Sequence, residues 1–343
     1  MKLRHFLFFI ALIVIVVLAY NQFHQVQSIR QLLSQVRWWI LIFVLPVRYL
    51  YYRSNAKYFE SFFAIFKQKT QFGKLTEATI TMNFVNIVFP SGGLSGLSYI
   101  RKALDGKIDS SNITLAQLSW YMLSFVAYLA FLFGAFILLL LSNQVIHISS
   151  RLILLVLFVV ITVSVAILIF IFSPNLVASI AVVAAKPVNR VLVLIRRRVF
   201  GKERIRRFLE QIHESVLFLR SHRSQLGKPF FYTCMMIFWD LATIYIVFLA
   251  FGSVVNPGLI MAGYVIALIS SLAAVVTAGI GVYEAAMVAT FVGLNVPFDI
   301  AFAVTIIYRL ISLWLFVPVG LLFYKRTLLD VKPKLKKQKV SKN

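Results

Sequence analysis

Long apolar runs recur along the chain and constrain its fold more than any other feature. The runs 6–20, 113–141 and 152–172 contain no charged residue. About 20 apolar residues are enough for a helix to cross the ~30 Å hydrocarbon core of a bilayer. Apolar residues make up 61% of the chain and charged residues 13%, against roughly 45–50% and about 25% in soluble domains. The sequence therefore predicts an integral membrane protein and excludes a soluble enzyme or a DNA-binding domain.

The predicted fold is an all-α polytopic membrane protein with two interrupted segments. We expect about six full spans, at 6–20, 38–52, 113–141, 152–172, 230–251 and 301–324. The further apolar segments 77–104 and 258–294 are broken by glycines at 89–96 and 277–281. The arm 77–90 would reach only ~21 Å as a helix, so the first segment is predicted to be a re-entrant hairpin. The second segment, by its length, either re-enters or crosses twice.

The basic residues predict the orientation of these spans. Of 35 Lys and Arg, 30 fall in the stretches 1–5, 53–77, 101–112, 173–228 and 325–343, whereas only Arg30, Arg37 and Arg151 fall in the opposite loops. Cytoplasmic loops carry such an excess. We therefore expect the cell membrane as the location, with both termini cytoplasmic. The two hairpins then enter from opposite faces, which is typical of inverted repeats with a binding site near the midplane.

The expected organisation is one transmembrane domain followed by a short tail. The domain covers 1–325, in halves of about 38–172 and 229–324 that are joined by a basic amphipathic cytoplasmic segment, 186–227. That segment either binds anionic lipid or only anchors the topology. The Lys-rich tail 326–343 is predicted to be disordered and cytoplasmic.

Charged residues inside the apolar segments need an explanation, because each is costly in hydrocarbon. Asp240, Glu284 and Arg309 lie near mid-depth on three different segments. They form either a structural ion pair, of Arg309 with Glu284 or Asp240, or a functional site in which the carboxylates couple transport to protons. Arg48 lies near the inner end of its span, so we expect its side chain to snorkel to the headgroups.

The glycine breaks predict that helix N-termini within the bilayer form a second part of the site. A helix that starts within the bilayer presents free backbone N–H groups and a positive dipole end, which suit a phosphate. The predicted headgroup site consists of Ser91, Gly92, Gly93, Ser95, Gly96, Gly279, Gly281 and Arg309, with Glu284 and Asp240 as charge partners. Alternatively, the glycines only permit tight turns and close helix packing.

These residues resemble a known family. The stretches Phe89-Pro90-Ser91-Gly92-Gly93-Leu94-Ser95-Gly96, Gly279-Ile280-Gly281-Val282-Tyr283-Glu284-Ala285 and Tyr308-Arg309-Leu310 are similar to the lysylphosphatidylglycerol synthase transmembrane (flippase-like) family, over about residues 5–325. The resemblance implies a module that moves a phospholipid between leaflets. It does not extend to the cytoplasmic aminoacyltransferase domain of two-domain members, so synthase chemistry is not expected. Members often have Pro-Gly where this chain has Thr277-Ala278, which predicts a less sharp second break.

Two functions remain open from the sequence. The first is a flippase-like transporter of an anionic phospholipid or a lipid-linked precursor. The alternative is a membrane glycosyl or lipid transferase, or an accessory subunit in lipid-linked saccharide or cell-envelope assembly. Enzymes of that kind usually need paired carboxylates in a wet loop, and the sequence presents no such pair, no catalytic residue, no metal ligands and no cofactor motif. The expected partners are anionic lipids, with a second copy of the chain or an envelope-biosynthesis enzyme as further candidates and nucleic acid excluded.

Overall fold

The computed structural model describes residues 36–89, 94–104, 108–142, 214–272 and 281–327. The predicted spans 6–20 and 152–172, most of the basic segment 186–227, the tail 326–343 (apart from its first two residues) and the glycines at 92, 93 and 279 lie outside these residues. The chain divides into two compact units, one formed by 1–35 and 150–221 and the other by 36–149 and 222–343. The described part of the first unit is a helical stretch at 214–221. All elements below belong to the second unit.

The described part of the second unit is helical and contains no strand. Its helices are α1 (Val44–Ile65), α2 (Phe72–Val88), α3 (Leu94–Ala103), α4 (Ser110–Leu141), α5 (Gly227–Ala250), α6 (Pro257–Leu272), α7 (Val282–Gly293), α8 (Phe298–Trp314) and α9 (317–327). Short 3₁₀ turns at Trp38–Phe43 and Arg223–Gln225 precede α1 and α5.

Three helical stretches of the described residues are long and apolar enough to cross a membrane. They are Ser110–Leu141, Gly227–Ala250 and Phe298–Thr327, the last formed by α8 and α9 with a two-residue turn at 315–316. They coincide with the predicted spans 113–141, 230–251 and 301–324. The exposed side chains of α4 include Val126, Phe133 and Leu141, as expected of a surface that faces lipid rather than water.

The first described helix is longer than the span 38–52 that the sequence predicts. Helical structure begins at Trp38 and continues through α1 to Ile65. Pro46 does not break it, because it lies in the first turn of α1, where its missing N–H would have no intrahelical partner. Beyond Tyr52, α1 buries Tyr58, Phe59, Phe62 and Phe63, each at most 1% exposed. Burial of these aromatic side chains stabilises the helix beyond the end of the predicted span.

Helix α5 is the centre of the described fold. It packs against α1, α4, α6 and α8. Its end lies beside the start of the α1 segment, because the N–H of Arg37 donates to the carbonyl of Ala250 at 2.9 Å. Helices α1 and α5 therefore run antiparallel, and Arg48 of α1 meets Asp240 of α5 in the interior.

The two interrupted segments each form a pair of packed helices, α2 with α3 and α6 with α7. In the first pair, a Cβ on Gly96 would lie 2.6 Å from the side chains of Asn86 and Met82. In the second pair, a Cβ on Gly263 would lie 2.2 Å from the Phe291 ring. Glycine thus allows close approach of the two helices in both pairs.

Candidate functional site

Asp240 lies in the interior of the helix bundle and joins four helices. It is carried by α5 and is 7% exposed. Its carboxylate accepts hydrogen bonds from Arg48 of α1, from the Tyr264 hydroxyl of α6 at 2.8 Å and from the Tyr308 hydroxyl of α8 at 3.2 Å. A buried carboxylate is tolerated when several donors replace its water shell. These three donors satisfy that requirement.

Arg48 is the ion-pair partner of Asp240, so the prediction that it snorkels is wrong. It is 3% exposed. Its Nη1 donates to Asp240, its Nη2 donates to the Ser312 carbonyl at 3.4 Å, and its guanidinium lies 4.4 Å from the centre of the Tyr51 ring. The side chain turns inward because a buried carboxylate on the neighbouring helix offers a stronger partner than the headgroup region. Its Nε has no hydrogen-bond partner among the described residues.

The second charge pair joins α7 and α8. Arg309 donates through Nε to Oε1 of Glu284, and its guanidinium lies 4.3 Å from the centre of the Tyr283 ring. The other carboxylate oxygen of Glu284 accepts the backbone N–H of Gly281 at 2.6 Å. Glu284 therefore caps the start of α7 and fixes Arg309 at the same time. Of the pairings that the sequence left open for Arg309, the structure has the one with Glu284.

A polar cavity of about 200 Å³ lies between these helices. Residues from α1, α2, α4, α5, α6, α7 and α8 line it. Its polar and aromatic lining consists of Arg48, Tyr51, Asn83, Trp120, Ser124, Tyr128, Thr233, Asp240, Tyr264, Tyr283, Tyr308, Arg309 and Ser312. Two guanidinium groups, a carboxylate and five phenol rings thus surround one internal space, which suits a small ligand that carries charge.

The structure brings together only part of the predicted site. Arg309 and Asp240 line the cavity, with Glu284 bound to Arg309. Ser95, Gly96 and Gly281 are not among the lining residues. Ser91, Gly92, Gly93 and Gly279 lie outside the described residues.

Two of the backbone donors that the sequence predicts to bind an anion, those of Gly96 and Gly281, are used within the chain. The N–H of Gly96 donates to Oδ1 of Asn86 at 2.8 Å, and the N–H of Gly281 donates to Glu284. The Ser95 hydroxyl donates to the carbonyl of Phe89 at 2.7 Å. In the conformation described, a ligand in the cavity would therefore meet guanidinium groups rather than these helix ends.

Sequence reasoning missed Arg48, Trp120 and the tyrosines of the cavity. The signal for Arg48 is present in the charge count, because the six predicted spans and the segment 258–294 together hold two arginines and two carboxylates, which can pair completely. The tyrosines carried a weaker signal. Tyr128, Tyr264 and Tyr308 lie inside apolar runs rather than at their ends, where interfacial tyrosines are enriched.

The described ranges bring together no group of three His, Cys, Asp or Glu side chains that could hold a metal ion.

Apolar helices of spanning length around a buried charged cavity define a helical membrane protein with an internal polar site. The sequence pattern of the family described as the lysylphosphatidylglycerol synthase TM region matches residues 6–320. The chain belongs to this family, which confirms the resemblance seen in its sequence. It is also similar to the UPF0104 membrane protein MJ1595 of Methanocaldococcus jannaschii, with 26% identity over 114 residues, 33% of this chain and 34% of that protein. The similarity thus spans about a third of that relative's length.

Proposed function

We propose that this protein is a flippase-like transporter that moves a phosphate-bearing lipid, either an anionic phospholipid or a lipid-linked precursor, between the leaflets of the cell membrane. The observation that carries the proposal is the cavity lined by Arg48, Asp240 and Arg309 inside a bundle whose outer surface is apolar. A polar space at this position offers a headgroup a path through hydrocarbon, where a charged group on its own is costly.

The size of the cavity favours a headgroup over a whole lipid. Ligand sites that enclose drug-sized molecules have volumes of roughly 300–1,000 Å³, whereas this cavity has about 200 Å³. That volume suits a phosphate and the atoms bonded to it. The acyl chains would stay in the surrounding lipid while the headgroup passes between the helices.

Arg309 is the residue proposed to bind the phosphate. Its side chain is 17% exposed and its Nε is bound by Glu284, which leaves the two terminal nitrogens as donors. Guanidinium groups bind phosphate oxygens through two parallel hydrogen bonds. Glu284 then has a positioning role. Asp240 and Glu284 are also the groups proposed to carry a coupled proton, since they are the two carboxylates paired with the arginines of the cavity.

The two helix pairs, α2–α3 and α6–α7, are proposed to be re-entrant hairpins. Helices α2, α3, α6 and α7 have 17, 10, 16 and 12 residues, or ~26, ~15, ~24 and ~18 Å at the helical rise. Each is shorter than the ~30 Å hydrocarbon core. We infer that both pairs re-enter, α2–α3 from the cytoplasmic side and α6–α7 from the opposite side, as the two halves of an inverted repeat.

Lipid exchange in proteoliposomes tests the function. The purified protein should accelerate the exchange of fluorescently labelled phosphatidylglycerol between leaflets, measured by dithionite quenching of the outer leaflet. Arg309→Ala should reduce the protein-dependent rate at least tenfold, because the phosphate loses its charge-assisted hydrogen bonds, and Glu284→Gln should reduce it less. Arg53→Ala is the matched control, since Arg53 is an exposed α1 residue that packs on Phe72 away from the cavity.

Two results would contradict the proposal. One is an unchanged exchange rate in folded, inserted Arg309→Ala protein. The other is exchange no faster than in protein-free vesicles for the unsubstituted protein. Transfer of a sugar or an acyl group by the purified chain would instead identify it as a transferase.

A further inference from the structure

Two buried nitrogen donors without a hydrogen-bond partner among the described residues belong to side chains that line the cavity. They are Nε of Arg48 and the indole Nε1 of Trp120. Arg48 is 3% exposed as a residue. Buried donors almost always have an acceptor in a folded protein, so two unpaired donors on the wall of one cavity indicate a place for an acceptor.

The guanidinium of Arg48 is held in a fixed orientation. Its Nη1 bonds to Asp240 and its Nη2 to the Ser312 carbonyl, while the Tyr51 ring lies against its plane at 4.4 Å. These contacts leave Nε as the donor that the ion pair does not use. The donor of Trp120 comes from α4, so the two groups approach the cavity from different helices.

The chain's own acidic group in the cavity cannot satisfy these donors. Asp240 already accepts hydrogen bonds from Arg48, Tyr264 and Tyr308. Glu284 is bound by Arg309 and by the N–H of Gly281. The two carboxylates are thus engaged by other donors, and an acceptor brought by a ligand would pair with Nε and Nε1.

We propose that Arg48 and Trp120 form an oxyanion subsite that binds the phosphate of the transported lipid, a proposal that rests on the function given above. One donor belongs to a cation, so the subsite favours a phosphate oxygen over an ester carbonyl, because charge-assisted hydrogen bonds are the stronger. Asp240 acts on this subsite as a positioning residue, since it fixes the arginine. Trp120 becomes a specificity-determining residue that contributes one hydrogen bond and no charge.

Nuclear magnetic resonance of the indole groups tests the subsite directly. The five tryptophans are labelled with ¹⁵N in the purified protein in micelles, and Trp120→Phe assigns the Trp120 signal. Dihexanoyl phosphatidylglycerol should shift the Trp120 indole N–H downfield, because a new hydrogen bond to a charged oxygen deshields the proton. Trp239 is the internal control, since its Nε1 already donates to the Ser54 hydroxyl at 3.1 Å and its signal should stay in place.

Two further ligands identify the source of the oxyanion. Dihexanoylglycerol, which lacks the phosphate, should leave the Trp120 signal unchanged. A shift with inorganic phosphate as well as with the lipid supports a subsite open to any phosphate, and a shift with the lipid alone supports a headgroup subsite. An unmoved signal at saturating phosphatidylglycerol, or an equal shift with dihexanoylglycerol, overturns the proposal.

The substitution Trp120→Phe separates this proposal from the function on which it rests. It removes the donor and keeps an aromatic ring, so binding of dihexanoyl phosphatidylglycerol should weaken about tenfold, as expected for one hydrogen bond to a charged acceptor. The unchanged Trp239 signal reports that the variant is folded. If Trp120→Phe binds as tightly as the unsubstituted protein while Arg309→Ala slows lipid exchange, the subsite is wrong and the transport function stands. If Arg309→Ala leaves exchange unchanged, the transport function itself fails.

Discussion

At the residue scale, the charges inside the described bundle form two ion pairs, and tyrosines contact a member of each pair. Arg48 pairs with Asp240, and Arg309 pairs with Glu284. Tyr264 and Tyr308 complete the first pair, and the Tyr283 ring faces the second arginine. Such pairs allow a charged cavity to exist within an apolar surrounding. The stability of the fold then depends strongly on each partner of each pair.

Loss of one partner of the Arg48–Asp240 pair should destabilise the protein strongly. Asp240→Asn leaves a buried guanidinium without a counter-charge, and breaking a buried pair costs about 3–5 kcal/mol. We expect a loss of this size in the free energy of unfolding, measured by titration with a denaturing detergent in mixed micelles. Asp109→Asn makes the same change at the exposed N-cap position of α4, where the side chain accepts a hydrogen bond from Gln68 at 3.1 Å that an asparagine oxygen can also accept, so it should have little effect.

A double substitution tests whether the loss of stability comes from the unpaired charge or from changed packing. Arg48→Met together with Asp240→Leu should recover much of the stability, because apolar replacements of similar volume often match a buried pair. Equal stability of Asp240→Asn and Asp109→Asn would show that Asp240 does not hold Arg48 in the folded protein.

The sequence shows which residues of the site carry charge, but it does not show which way their side chains turn. Asp240, Glu284 and Arg309 were recognisable because a charge inside an apolar run always needs a partner. Arg48 was assigned to the headgroups because its distance from the end of the run does not reveal which way the side chain turns. That direction depends on the packing of α1 against α5, a contact between residues almost 200 positions apart.

At the element scale, the two helix pairs depend on close contact rather than on exposed helix ends. The Asn86 side chain accepts a hydrogen bond from the N–H of Gly96 in the α2–α3 pair. The Glu284 side chain accepts one from the N–H of Gly281 in the α6–α7 pair. Gly281 has φ +91°, a conformation that side-chain-bearing residues rarely adopt. Helices α2 and α6 precede the two predicted breaks, and α3 and α7 follow them. The sequence could not show that neighbouring side chains cap the helices that follow.

The contact between α6 and α7 gives a prediction at this scale. Gly263→Ala would place a methyl group 2.2 Å from the Phe291 ring, which is fully buried and packs against Phe248. Overpacking of this kind costs about 1–3 kcal/mol, and the same detergent titration should show the loss. Gly134→Ala in α4 is the matched control, because nothing lies within 4 Å of its added methyl group, and alanine there should be neutral or stabilising by up to ~1 kcal/mol.

A second substitution checks the cause of that loss. Phe291→Leu removes the ring carbons that the new methyl group would meet, so Gly263→Ala should cost less in a Phe291→Leu background than alone. Similar stabilities for Gly263→Ala and Gly134→Ala would contradict the close packing of α6 on α7.

At the scale of the whole molecule, the ends of α1 and α5 define two faces of the second unit. The hydrogen bond between Arg37 and Ala250 places the start of the α1 segment beside the end of α5. The connection 251–256 at that face contains no Lys or Arg, whereas the connection 66–71 at the far end of α1 contains Lys67 and Lys69. Since cytoplasmic loops carry the basic excess, the packing of the helices and the charge distribution predict the same orientation.

Cysteine labelling in intact cells tests this orientation. Cys234, the single cysteine of the chain, is first replaced by serine. In that background, Val254→Cys should react with a membrane-impermeant maleimide, because Val254 is 80% exposed and lies at the face assigned to the outside. Lys69→Cys, also at an exposed position, should react only after the membrane is permeabilised. The opposite pattern would show that the protein has the reverse orientation, and the α2–α3 and α6–α7 pairs would then enter from the faces opposite to those proposed.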